Sequence, residues 1–308
     1  MKKIFICEYV TGGGYINNKV PKKLFLQART IVKSLLIDFN EIDNLKIIYT
    51  WDYRLKKRIK KNKNTECIII KKEPTFLWKN IIKKVDFYLP IAPETNLKLV
   101  NLIKLGSKKE KTLSNSINAV KKTSSKFKTY NFFKKNSIPT IKTFNNLKKI
   151  KFKDNNKWVF KPDDGAGSEK NLIINNKNLK KLHNLTNLKE KYIVQPFIKG
   201  ENYSVNILPY CKKFILNFNK QKISYKKNKI IFNGTKYTKK IPFEKEITKK
   251  INIIINKLPG LKSFFGIDLI ITKKNFYFIE INPRITTSYK NIKKKLDINI
   301  AKKIIRKL

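Results

Sequence analysis

Two carboxylates, an amide and a guanidinium fall close together in "GIDLIITKKNFYFIEINPR", residues 266–284, of a 308-residue chain that has only 21 acidic residues against 71 basic ones. Asp268 and Glu280 sit inside apolar runs that read as β-strands, where a lone charge is costly. With "KKN" (273–275) as a three-residue hairpin loop, Thr272 faces Phe276, and the same register sets Asp268 opposite Glu280. Their Cβ atoms are then about 5 Å apart on one face, and Asn282, two residues on, projects from that face. Carboxylates this close repel unless one is protonated or a cation lies between them. Two carboxylates and an amide oxygen form a hard donor set suited to Mg²⁺, with Mn²⁺ as an alternative. A pair of salt-bridged residues at a sheet edge is the competing reading; the convergence of Asn282 and Arg284 on the pair favours the metal.

A second constellation is "KPDDGAGSEK", residues 161–170. It places two of the chain's 10 glycines, Gly165 and Gly167, between two strands. Backbone N–H groups of such a loop can turn inward around an anion, and Lys161 ends the preceding strand as a point charge for a phosphate. No Gly-Lys-Ser/Thr follows, and the third glycine of a dinucleotide fingerprint is missing. The loop alone therefore reads as a plain hairpin. "VQPFIKGENYSV" (194–205) joins two strands through a short connection, and Phe197 there could hold a flat ring. The N-terminal "EYVTGGG" is open between a tight strand-to-helix turn and a substrate-contacting loop.

The elements that must position these residues fall into two rhythms. Over residues 1–110 the strands 3–10, 46–50, 66–70 and 86–93 alternate with helices at 21–39, 75–85 and 94–105. That pattern predicts a small, mostly parallel sheet. From 111 on the pattern is α+β. A helix is expected over 113–136, a turn into a strand at "SIPTIKTF", strands around the glycine loop, a helix at 176–189, and then antiparallel strands. A helix at 243–258, the carboxylate hairpin and a C-terminal helix complete the chain. The expected units are 1–110, 111–190 and 191–308, with the first break at "LGSKKEKTLS".

Composition excludes several classes. A hydrophobic fraction of 41% with 12% aromatics indicates a globular chain. The formal charge of +50 would suggest a polyanion partner. Only five basic residues are arginine (29, 54, 58, 284 and 306), however, and lysine is spread everywhere. Arginine is the better reader of phosphates and bases, so a global compositional bias accounts for the charge and no specific nucleic-acid partner is expected. Cys7, Cys67 and Cys211 are odd in number and without a CxxC pair, which fits reduced thiols in a cytoplasmic protein. His183, alone in "LKKLHNLTNL", reads as a helix residue without metal chemistry. No signal peptide or membrane-length apolar run is present, so no membrane association is expected.

Taken in this order, the motifs resemble the ATP-grasp superfamily of carboxylate–amine ligases over the whole chain. "SSKFKTYNFFKKNSIPT" (124–140) is similar to the helix carrying the first phosphate lysine, which would be Lys126. "WVFKPDDGAGSEK" resembles the strand with the second lysine, Lys161, and the glycine loop, Gly165, Gly167 and Ser168, over the phosphates. "VQPFIKGENYSV" resembles the adenine hinge and ribose contact, implicating Gln195, Phe197 and Asn202. "GIDLII…FIEINPR" resembles the metal pair, with Asp268, Glu280 and Asn282 as ligands and Arg284 on the transferred phosphoryl group. Ser125, Gln195 and Asn202 depart from the more usual aspartate, glutamate and glutamate. Gln and Asn still hydrogen-bond, so nucleotide binding is expected to survive.

"EYVTGGG" and "NPRITTSY" (282–289) further resemble the tyramine–glutamate ligases of methanofuran biosynthesis and their relatives. The resemblance implies an α/β N-terminal domain ahead of an ATP-grasp fold. The implied cofactors are ATP and Mg²⁺, the partners small-molecule substrates (an amino-acid carboxylate and an amine), and the reaction ligation through an acyl phosphate. Glu8 and Gly12–Gly14 would help form the carboxylate or amine pocket. Three rivals are another amino-acid ligase of the same fold, a nucleotide binder without turnover, and a basic nucleic-acid-binding protein. Oligomeric state is left open, a homodimer being one option.

Overall fold

The computed structural model describes residues 1–56, 58–59, 63–107, 112–150, 157–165, 171–179, 191–210, 213–292 and 298–306. The chain builds two sheets. The first is parallel, in the order β3-β2-β1-β4, from β1 (Lys2–Glu8), β2 (Leu45–Asp52), β3 (Thr65–Ile70) and β4 (Phe87–Ile91). Its connections run through α1 (Lys22–Asn40) and α2 (Thr75–Lys83), with α3 (Lys98–Leu105) following β4. β1 is buried on both faces, as a central parallel strand must be. Ile4 and Ile6 pack toward α1, and Phe5 and Cys7 toward α2 and α3. Cys7 and Cys67 are free thiols.

The second sheet has eight antiparallel strands in the order β12-β11-β8-β9-β10-β6-β5-β7. They are β5 (Lys157–Pro162), β6 (Leu172–Asn175), β7 (Tyr192–Pro196), β8 (Glu201–Tyr210), β9 (Lys213–Lys226), β10 (Lys229–Tyr237), β11 (Phe265–Ile271) and β12 (Phe276–Asn282). One face is apolar: Tyr203, Val205, Phe218, Ile267 and Leu269 pack with α6 (Glu244–Lys257). The other face is polar and carries the site. The C-terminal segment does not stay with this sheet. Ile285, Tyr289, Ile292, Ile300 and Ala301, the last two on α7 (Ile300–Arg306), join the core around α1 and the parallel sheet, and the Tyr289 hydroxyl donates to Asp38 on α1 at 2.7 Å.

Three expectations need correction. The helix foreseen over 113–136 is two helices, α4 (Ile117–Thr123) and α5 (Lys126–Lys135). Ser125 is extended and its hydroxyl accepts from the Lys128 N–H, so it starts a new helix instead of continuing the old one. "SIPTIKTF" forms no strand; it touches the sheet through isolated bridges, Thr140 to Phe278 and Phe144 to Val194. The hairpin loop is shorter than three residues. Ile271 faces Phe276 and the Thr272 N–H donates to the Asn275 carbonyl, leaving Lys273 and Lys274 as the loop. Of the helix expected at 176–189, residues 176–179 are helical and 180–189 lie outside the described residues, as do His183 and Cys211.

Candidate active site

A shortened turn should have displaced Asp268 from Glu280, yet the two are paired. A register shift between Asp268 and Leu269 restores the pairing: Leu269 faces Phe278, one residue of β12 is passed over, and Asp268 meets Glu280. A β-bulge thus re-aims one side chain, a common device beside functional sites. On the polar face the strands align in two rows. Asn219, Ser204, Asp268 and Glu280 form one, and Asn217, Asn206, Gly266 and Asn282 the next.

Gln221 donates to Asp268 Oδ1 at 2.9 Å, and the Asn282 amide lies 3.4 Å from Oδ2. Burial and the adjacent Glu280 carboxylate push the Asp268 carboxyl well above its usual range, whereas for Glu280 the field of Lys126 and Lys161 overcomes burial and holds it down. Two buried lysines supply that field, an unusual location for this residue type. Lys126, 8% exposed, opens α5 with its Nζ 3.5 Å from Glu280 and donating to the Gly165 carbonyl at 3.1 Å. Lys161, 5% exposed on β5, is brought down to about 8 by burial.

Asp163, which the sequence reading did not single out, fastens these elements together. Its carboxylate accepts from the Ser125 hydroxyl at 2.7 Å and the Phe127 N–H at 2.8 Å, and its carbonyl accepts from the Lys126 N–H. It caps α5 from the residue just after β5, and the aspartate anticipated at 125 is in effect supplied by 163. Gly167 and Ser168 lie outside the described residues.

Two cavities meet at the carboxylate pair. One, roofed by β5, β7 and β9, is lined by Lys161, Gln195, Phe197, Asn202, Asp268 and Glu280 among others. It gathers the residues expected around a nucleotide. Gln195 is buried and donates to Thr143 at 2.8 Å, so its side chain is held by the 137–144 segment. The other cavity, with roughly 870 Å³ of atom-free space at its open mouth, lies between the polar sheet face, α1 and the carboxyl ends of β1 and β4. Asp268 and Glu280 again form part of its wall, with Arg284, Asn282, Ser204 and Glu8.

Arg284 opens onto this second cavity and is held by Glu94, through Nη2–Oε2 and Nε–Oε1 approaches of 3.0 Å each. Glu94 was not foreseen, being 190 residues away in sequence. The "TGGG" turn stays clear of the cavity. A Cβ on Gly12 would meet the Glu8 carbonyl at 2.5 Å, and Gly13 sits at φ +104 against Ile70. The glycines serve the turn, and Glu8 and Val10 face the cavity. Ser204, Asn206, Asn217, Asn219 and Gln221 were also missed, although the period-2 polar alternation in "NYSVN" and "NFNKQ" places all of them on one face.

Comparison with known proteins follows the same division. Residues 45–120 match the pre ATP-grasp 3 domain model and residues 123–288 the ATP-grasp domain model. The chain is 29% identical over 293 residues to the tyramine–L-glutamate ligase of Methanocaldococcus fervens, covering 94% of this chain and 89% of that one. It is likewise 29% identical to the enzyme of the same name from Methanocaldococcus jannaschii, over 94% and 84%. A crystal structure of an ATP-grasp superfamily protein from Archaeoglobus fulgidus superposes with a TM-score of 0.75 at 20% identity, covering 99% and 88%. The L-amino acid ligase of Bacillus licheniformis superposes with 0.66 at 14% identity, covering 99% and 74%. The two sheets, the paired lysines and the carboxylate hairpin thus belong together, and this chain is a member of the ATP-grasp domain family.

Proposed function

We infer that the protein is an ATP-dependent ligase that joins a carboxylate to an amine, with L-glutamate and tyramine or a close analogue as its substrates. The observation that carries this reading is the meeting of two cavities at Asp268 and Glu280, one lined by Lys161, with Lys126 paired to Glu280 beside it, and one open to a second substrate. The substrate identities rest on the named relatives.

Lys126 and Lys161 would hold the phosphates as point charges from two directions, and the cavity past Gln195, Phe197 and Asn202 would take the base and ribose. The donor set at the pair fits a hard divalent cation. Asp268 is pushed up by burial and by its neighbour's charge, a penalty that a cation between the two relieves, and the Asn282 amide lies beside Asp268. Mg²⁺ held by Asp268, Glu280 and Asn282 would neutralise charge on the transferring phosphoryl group. The substrate carboxylate oxygen attacks the γ-phosphorus as the bond to ADP breaks; the amine nitrogen then attacks the acyl carbon, phosphate leaves and a proton is lost. No protein nucleophile is needed, and the chain's part is positioning and fixed charge. Arg284, aimed by Glu94, would stabilise the phosphoryl oxygens.

Purified protein with ATP, Mg²⁺, glutamate and tyramine should form the amide with one ADP per bond. Asp268→Ala and Glu280→Ala should each reduce turnover by at least about a hundredfold, the scale for losing a fixed charge in the transition state. Undiminished ligation by the double variant would falsify the metal assignment.

A further inference from the structure

The cleft beside the carboxylate pair reverses the charge of the molecule that contains it. In a chain with 71 basic and 21 acidic residues, the charged side chains lining it among the described residues are Glu8, Asp268, Glu280 and Arg284, with no lysine in that set. Arg284 is already neutralised by Glu94, and Asp268 and Glu280 are answered from the nucleotide side by Lys126 and Lys161. Glu8 feels only the field of Arg284, the least of the influences on it. It is 4% exposed and takes its donors from its own turn, the Thr11 N–H at 2.6 Å and hydroxyl at 2.8 Å, both on Oε2. No ion pair reaches it among the described residues. Resting on the ligase reading above, we propose that this cleft is the acceptor site, which receives a primary ammonium on Glu8 and an apolar or aromatic chain against Leu24, Ala28 and Ile31 of α1.

Position and polarity support the assignment. Glu8 ends β1 with Val10 just beyond it, and Ile91 ends β4 with Ala92 and Pro93 just beyond it. These are the carboxyl ends of two parallel strands whose connections leave in opposite directions, the crevice where such sheets bind ligands. The wall opposite the sheet is apolar apart from Gln27, and a charged chain end could not rest against its apolar part without losing hydration. On the floor, Ser204 stands in register with Asp268, is 7% exposed, and its Oγ has no hydrogen-bond partner among the described residues. A buried hydroxyl left open is costly, and here it faces the space a ligand would fill. An anion in this cleft would meet Glu8, with the one cation lining it, Arg284, already taken by Glu94; an amine would meet a carboxylate on one side and the activated acyl group on the other.

Binding can be measured without turnover, so the two readings fail separately. The full chain is titrated calorimetrically, with Mg²⁺–ADP present, using tyramine, ethylamine and 4-hydroxyphenylacetate. The first carries ring and ammonium, the second the ammonium with a short chain, the third the ring with a carboxylate. Tyramine should bind at least tenfold more tightly than either of the others, and Glu8→Gln should weaken it at least tenfold while leaving ADP affinity within twofold. Equal affinity for the three probes, no tyramine binding, or an unaltered affinity in Glu8→Gln overturns the proposal. The probe series decides the question even if the variant does not fold. Tyramine binding with this pattern but no amide formed upholds the acceptor site and refutes the ligase reading alone.

Discussion

At the scale of single residues, the site holds charges that the fold would be more stable without. Glu8 is raised to about 6 by burial, against the opposing pull of its hydrogen bonds from Thr11. A carboxyl whose folded value lies above its unfolded one contributes stability that is present at low pH and lost as the pH rises through the folded value. The window here runs from about 4.5 to about 6. Glu8→Gln removes the penalty and keeps an acceptor for Thr11, so it should gain up to about 2 kcal/mol at pH 7.5 and nothing at pH 4. Urea unfolding at the two pH values measures this, and an equal effect at both would mean that the charge is not the cause. Lys161, brought down to about 8 by burial, acts in the opposite direction. An anionic phosphate favours its charged form, so nucleotide binding should take up a proton and weaken as the pH rises from 8 to 9.5. Calorimetry in two buffers of different ionisation enthalpy would detect that proton, and Lys161→Met should abolish it.

At the scale of elements, the site depends on two local irregularities. The first is the start of α5, where Asp163, just after β5, holds the Ser125 hydroxyl and the Phe127 N–H. Asp163→Ala should cost about 1–2 kcal/mol, the worth of a good helix cap. Because Lys126 is the first residue of that helix, the KM for ATP should rise several-fold with little change in that for the amine. A uniform loss of kcat would instead point to general unfolding. The second irregularity is the β12 bulge. The pairing of Asp268 with Glu280 was legible in the sequence, but through a turn taken as one residue too long and an unforeseen bulge that compensated for it. Either departure alone would have put the two carboxylates on opposite faces; the pairing survives because the shorter turn and the bulge cancel. Lys126, Lys161, Gln195 and Asn202 could be placed because each sits on a local pattern. Glu94 and Asp163 could not, because their partners, 190 and 38 residues away, are brought to them only by the fold. The break between α4 and α5 could have been read from the serine pair 124–125, since serine starts helices better than it continues them.

At the scale of the whole molecule, the C-terminal segment ties the parallel sheet to the antiparallel one, so α1, which forms the apolar wall of the second cavity, is braced by Tyr289 and Ile300. No described helix is long and apolar enough to cross a membrane. The remaining global property is charge. A molecule of formal charge +50 draws anions from solution and repels cations, and both effects fade as salt shortens the screening length from about 10 Å at 0.1 M. The two substrates of the proposed reaction have opposite signs. ATP should be captured with help from the surface field, and an ammonium acceptor should have to enter against it, reaching a cleft whose local sign is reversed. Raising KCl from 50 to 300 mM should therefore increase the KM for ATP by about threefold or more while the KM for tyramine falls or stays level. DNA or heparin, held by the same diffuse field without a specific site, should lose at least about a hundredfold in affinity over that range. Steady-state kinetics at four salt concentrations decides the matter. If both KM values rise together, salt is acting on the fold or the site, and the field of the whole molecule is not what separates the two substrates.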